Sequence, residues 1–186
     1  MTSQDIYILL KLVCLQQDEL SRPFGADNLA DQYSSRGLAV ALGVSKTVVN
    51  ASVWRSIDIG MALKDRKSGY PKANKKALLE FVVHGLKYVF PVKPAEIVRG
   101  VPTAFSAPML QDKLMNMGDY SYVWPFAEGL HKGQSIQPLF KSVPRAALED
   151  DRLYQYLALI DAIRLGKARE ANLAADIFER RLMSDV

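Results

Sequence analysis

The sequence predicts a mainly α protein carrying one small β element, and three observations point there. Apolar residues recur at helical spacing through both ends of the chain. Two serine-capped segments meet across a single glycine near residue 43. A basic, glycine-tipped stretch follows them before the helical pattern resumes.

The first helix is expected over residues 5–17, where Ile6, Leu9, Leu10 and Val13 fall on one face and Asp5 stands at the cap position. Ser21-Arg22-Pro23-Phe24-Gly25 then breaks the pattern as a turn. Ser34 or Ser35 opens a second helix through Leu38, Ala39 and Leu42, and Gly43 ends it. Ser45 caps a third, expected over 45–57, with Val48, Val49 and Val53 facing inward. So short a connection forces the two helices to cross steeply, with small Ala39 at the contact and Val44 filling the elbow. Beyond Gly60 the residues suit a short strand, and 64–72 reads as a hairpin tip. Asn74 caps a further helix through Leu78, Val82 and Leu86, which ends before Pro91.

Prolines at 91, 94, 102 and 108 exclude long helices over 91–117, which is expected to be a connecting segment between a unit at 1–90 and a second at 118–186. In the second unit Tyr120, Tyr122 and Trp124 alternate with Ser121 and Val123, as along one face of a strand. That row is a candidate partner surface. Two amphipathic helices are expected over 150–164 and 167–183.

Composition narrows the function classes. Of 186 residues 49% are hydrophobic and 24% charged, with a mean hydropathy of −0.03, as in an ordinary globular protein. No apolar run is long enough to span a membrane, and the opening residues lack the order of a secretory signal, so a cytoplasmic location is expected. The single cysteine, Cys14, lies in an apolar helical stretch and is expected to be a buried thiol. His84 and His131 lack carboxylates or cysteines at ligand spacing, so neither a metal nor a cofactor is expected; His84 reads as a packing residue. Asp119 and Glu128 flank the aromatic row without a nucleophile or phosphate loop, and no enzyme is expected.

The charge is unevenly spread. The net +4 hides a block at residues 34–90 with ten basic and three acidic side chains, against a net −3 over residues 1–33. A cationic block that coincides with a pair of abutting helices is what a phosphate-binding surface requires.

The run from Leu38 to Val49, with the seventeen-residue interval from Gly43 to Gly60, resembles the helix-turn-helix of bacterial winged-helix regulators of the MarR-like kind, although Ser56 stands where they carry a large apolar residue. Later stretches, 83–91, 99–104, and 159–164 with 167–170, look like a group of bacterial proteins given the same label. The resemblance implies a winged helix-turn-helix that binds double-stranded DNA as a transcription regulator, expected to be a repressor and a homodimer. Ser45, Lys46, Thr47 and Asn50 would then meet base edges, while Ser34, Ser35, Arg36 and Arg55 grip phosphates. The hairpin residues Lys64, Arg66, Lys67, Ser68, Tyr70 and Lys72 would form the wing. The alternative is a protein-interaction module, such as the antitoxin-like partner of a nucleotidyltransferase-type toxin or defence enzyme.

Overall fold

A computed structural model of the chain describes residues 1–21, 29–111 and 121–184. Of these residues about 59% are helix and 13% strand, so the described part of the chain is mainly α with small sheets. Helix α1 (Ser3–Ser21) is followed by α2 (Leu29–Tyr33), α3 (Ser35–Leu42) and α4 (Lys46–Asp58). Strands β1 (Ala62–Lys64) and β2 (Pro71–Ala73) form a hairpin that leads into α5 (Lys75–His84) and α6 (Leu86–Val89). Then come β3 (Ile97–Pro102), a 3-10 turn at Ala104–Ser106, β4 (Tyr122–Pro125) and β5 (His131–Ser135). Helices α7 (Val143–Glu149), α8 (Asp151–Leu165) and α9 (Ala168–Met183) complete the chain.

Helix α1 is buried on nearly every face, from Ile6 to Leu15, because it runs between α3, α4 and β2 on one side and α8 on the other. A helix apolar all round is stable only when covered in this way. One continuous apolar cluster therefore spans both sides of residue 91: Leu38, Val49 and Leu78 belong to it together with Leu157, Ile160 and Phe178. Cys14 is buried within it, as expected, and burial pushes its thiol pKa up. Asp5 lies inside the first turn of α1 rather than at its cap, and is itself buried.

The segment 91–117, expected to be a connection, carries regular structure. Strand β3 pairs antiparallel with both β4 and β5, while β4 and β5 run parallel, closing three short strands on one another. Gly100 makes this possible: a Cβ there would lie 1.9 Å from the carbonyl oxygen of Trp124. The aromatic row is also corrected. Trp124 is buried rather than offered to a partner, and its indole N–H donates to Asp161 Oδ2 at 2.6 Å. Tyr122 is half-buried with its ring 6.3 Å from that of Phe105, and Tyr120 and Asp119 lie outside the described residues.

Asp161 joins the strands to α8. Besides Trp124 it accepts from Thr103 Oγ1 at 2.9 Å and from Arg164 Nη1 at 2.7 Å, and Arg164 Nε donates in turn to the Phe90 carbonyl at 2.8 Å. Burial pushes the carboxyl pKa up, and these three donors oppose it. Breaking a buried pair strands the remaining charge. Asp161→Asn is therefore expected to lower unfolding stability by about 3 kcal/mol, read from the urea midpoint at constant slope; a change within about 0.5 kcal/mol, the size of a surface substitution, would contradict this account of the clamp.

Candidate nucleic-acid interface

Three local choices set the angle between α3 and α4. Ser34 caps α3, its Oγ accepting from Gly37 N at 2.9 Å, and Ser45 caps α4 by accepting from Val48 N at 3.2 Å. Between them Gly43 adopts φ +61°, the left-handed conformation that ends a helix at little cost only for glycine. The helix directions differ by 111°. The last carbonyl of α3, on Leu42, would otherwise be unpaired. It accepts from the Tyr7 hydroxyl of α1 at 3.1 Å and from the Ser142 hydroxyl, the residue before α7. The turn is thus fastened from behind by two distant parts of the chain.

Helix α4 is fastened separately. Arg55 donates to Asp5 through Nη2 at 2.8 Å and Nε at 3.3 Å, with the Asp5 side chain 1% exposed and that of Arg55 41%. Burial opposes ionisation of Asp5, but bonds from Arg55 and from the Thr2 amide outweigh it and hold the carboxyl below its ordinary range. Arg55 therefore ties α4 to α1. Ser56, where a large apolar residue was expected, is buried, and Ile57 packs beside it against the core.

The hairpin is fixed at its inner edge by a side chain acting as a strand. Gln16 of α1 accepts from Ala73 N at 2.8 Å and donates to Ala73 O at 3.3 Å, so its amide copies a backbone pairing. At the tip Asp65 accepts from the Ser68 amide at 2.8 Å and from the Ser68 hydroxyl at 2.7 Å, and these bonds lower its pKa. The tip is a folded turn.

These anchors sort the expected site residues. Ser45, Lys46, Thr47 and Asn50 are exposed along the first turns of α4. Arg36, Lys64, Arg66 and Lys67 are exposed as well, and like Lys46 they form no ion pair with a described residue. Others are already engaged. Ser34 caps α3, and the Ser35 hydroxyl donates to Asn50 Oδ1, leaving the Asn50 amide hydrogens outward-facing partners to find. Tyr70 stacks on Tyr33 with ring centres 5.1 Å apart, while the Lys72 ammonium pairs with Glu19 and sits 4.4 Å from the centre of the Tyr33 ring. Ser68 serves the hairpin tip. His84, expected to pack, is exposed.

The residue that the sequence reading passed over is Trp54. It is 65% exposed and shares its helix face with Thr47, Asn50 and Ala51, at spacings of seven, four and three residues. It also lines a groove of about 320 Å³ between the start of α3, the outer side of α4 and the hairpin, where Ser35, Ile57, Lys64 and Tyr70 form other parts of the wall. The signal was present in the sequence as the fourth residue of a face otherwise made of small and polar side chains. Among the described residues no group of acidic, histidine or cysteine side chains is arranged to hold a metal, and no single helix is long and apolar enough to cross a membrane. Comparison with protein-family profiles, curated proteins and solved structures finds no match.

Two measurements check this construction. Gly43→Ala must place a side chain in the left-handed region with its Cβ 3.0 Å from that of Ser142, so a loss of about 1–2 kcal/mol of stability is expected in urea titrations. For Asp5 the pKa is lowered on folding, so its contribution is full above the unfolded value of about 3.9 and is lost as pH falls through the folded value. Arg55→Met is expected to cost about 2 kcal/mol near neutral pH. That deficit should shrink below about pH 4, once Asp5 is protonated in both variant and parent; a deficit that does not vary with pH would refute the pairing as its cause.

Proposed function

We propose that this chain is a double-stranded DNA-binding protein in which α3, α4 and the hairpin act as a winged helix-turn-helix. More particularly, we read it as a sequence-specific transcription regulator that represses by occupying its site, with α4 in the major groove and the hairpin along the backbone. The observation that carries the reading is the exposed set Ser45, Lys46, Thr47 and Asn50 at the capped start of α4, flanked by Arg36, Lys64, Arg66 and Lys67, which have no ion-pair partner among the described residues.

The physical case rests on sorting the cations. Of ten basic residues between 34 and 90, Arg55 and Lys72 neutralise buried or half-buried carboxylates of α1, whereas the five named here with Lys46 face water. Each cation brought to a phosphate releases condensed counterion, so affinity from such a surface falls steeply with salt. Base discrimination would come from Lys46, which suits guanine acceptors, and from Asn50, whose orientation Ser35 already holds. A homodimer doubles the few base pairs that one such helix reads.

A second reading, a protein-interaction module, draws on a different observation. Tyr88 and Val89 of α6 are 72% and 53% exposed side by side, and adjacent exposed apolar groups of this kind suit a polypeptide partner.

Gel-shift titration with the duplex upstream of the gene itself separates the two. Specific retardation is expected, and Lys46→Ala with Asn50→Ala should abolish discrimination against a scrambled duplex. Arg66→Ala with Lys67→Ala should instead weaken all duplexes alike and flatten the salt dependence by about two in log–log slope. Unchanged retardation in the first double variant would refute α4 as the reading helix.

A further inference from the structure

The outer face of α4 carries fewer hydrogen-bonding groups than a helix that reads bases by polar contacts alone. After Lys46 and Asn50, what it presents is the hydroxyl and methyl of Thr47, the methyl of Ala51 and the indole of Trp54, with the Asp58 carboxylate following only at the last turn. A ring 65% exposed gives up the gain from burial that tryptophan ordinarily makes in a fold. Trp54 is also no isolated surface residue, since it continues into the wall of the groove shared with Ile57, Tyr70 and Lys64. Arg36 of α3, Lys46 of α4 and Lys64, Arg66 and Lys67 of the hairpin are exposed and have no ion-pair partner among the described residues, so the complementary occupant is polyanionic.

Resting on the DNA-binding reading above, we infer that Thr47, Ala51 and Trp54 form an apolar track that reads the 5-methyl groups of pyrimidines in the major groove. Thymine is the one standard base that presents a methyl there, and small or aromatic apolar side chains are the groups that meet it. Removing that methyl leaves pairing and hydrogen-bonding groups intact, so a methyl reader and a polar reader respond differently. The groove beside Trp54 receives the sugar–phosphate backbone of the same strand, deoxyribose against Ile57 and Tyr70 and phosphate near Lys64. Trp54 is then a specificity-determining residue that touches the base.

The test uses the full chain and a duplex selected by it from a random pool. Selected sites are expected to hold thymines at fixed positions. Replacing each dT by deoxyuridine should weaken binding about fourfold at every position the track touches, the worth of one buried methyl group. In Trp54→Ala the thymine and deoxyuridine duplexes should bind equally, and Trp54→Phe should restore part of the difference. Fluorescence provides an independent reading, because Trp54 is exposed and Trp124 is buried against Asp161. Duplex should quench and shift only the red component, and Trp54→Phe should lack that component. Specific binding with no deoxyuridine effect overturns the inference while leaving DNA recognition by Lys46 and Asn50 standing. Failure to select any duplex removes both. A red component that responds to poly-glutamate but not to duplex makes the occupant an acidic polypeptide and overturns the inference as well.

Discussion

Helix α1 is the constraint on which the rest of the molecule depends. Its residues Ile6 to Leu10 are at most 1% exposed, so it has no solvent face along that stretch, and each neighbouring element is positioned by the side of α1 it covers. Several of its polar side chains reach distant partners. Asp5 meets Arg55 of α4, Tyr7 meets the Leu42 carbonyl, Lys11 pairs with Asp150 at 2.7 Å, and Gln16 pairs with Ala73 of the hairpin. Near its end Gln17 bonds the Arg181 carbonyl at 2.7 Å. Buried polar groups left without partners cost about 1–3 kcal/mol each, so these contacts specify one arrangement of helices rather than merely adding attraction.

The C-terminal helices reach the candidate interface through the same device. Ser142 precedes α7 yet supplies the second donor to Leu42, and Asp150 both caps α8, accepting from Leu153 N at 2.9 Å, and holds Lys11. The strands are tied in by the Asp161 cluster, whose donors come from β4, from the residue after β3 and from α8 itself. A displacement of α8 would thus be felt at α1, and through Tyr7 and Asp5 at the turn and at α4. The 111° crossing is set locally by the caps and Gly43 and is held in place by the core behind them.

How much of this was legible in the sequence follows from how local each signal is. Ser34, Gly43, Ser45 and Asn74 act within four residues of themselves, and each lies where capping chemistry puts it. The helices near both termini were readable as well, α9 from its amphipathic period and α1 and α8 from long apolar stretches that are buried on nearly every side. The three-strand element was not. His131-Lys132-Gly133-Gln134-Ser135 has no apolar alternation, and its strand exists because β3 and β4 flank it. Gly100 and Pro102 read as breakers, yet the glycine is what lets Trp124 approach. Trp124 looked like the member of an exposed row because its partner, Asp161, is 37 residues away. In the site the exposed serines and Lys46 were readable from the cap, whereas the engagement of Arg55, Lys72 and Ser35 required knowing which carboxylates and amides fold against them.

That division between local and distant partners has a consequence for how the interface would work. Cations engaged with α1 are part of the framework, and moving one to a phosphate would leave Asp5 or Glu19 unpaired. Such a transfer gains little, since one ion pair is exchanged for another and a buried carboxylate is stranded. The cations left in water pay only their own side-chain ordering on binding. Asn50 pays less still, because Ser35 already fixes its amide plane. The surface thus keeps its rigid and its available charges separate, and binding to a polyanion, as proposed, would draw on the second set without loosening the first.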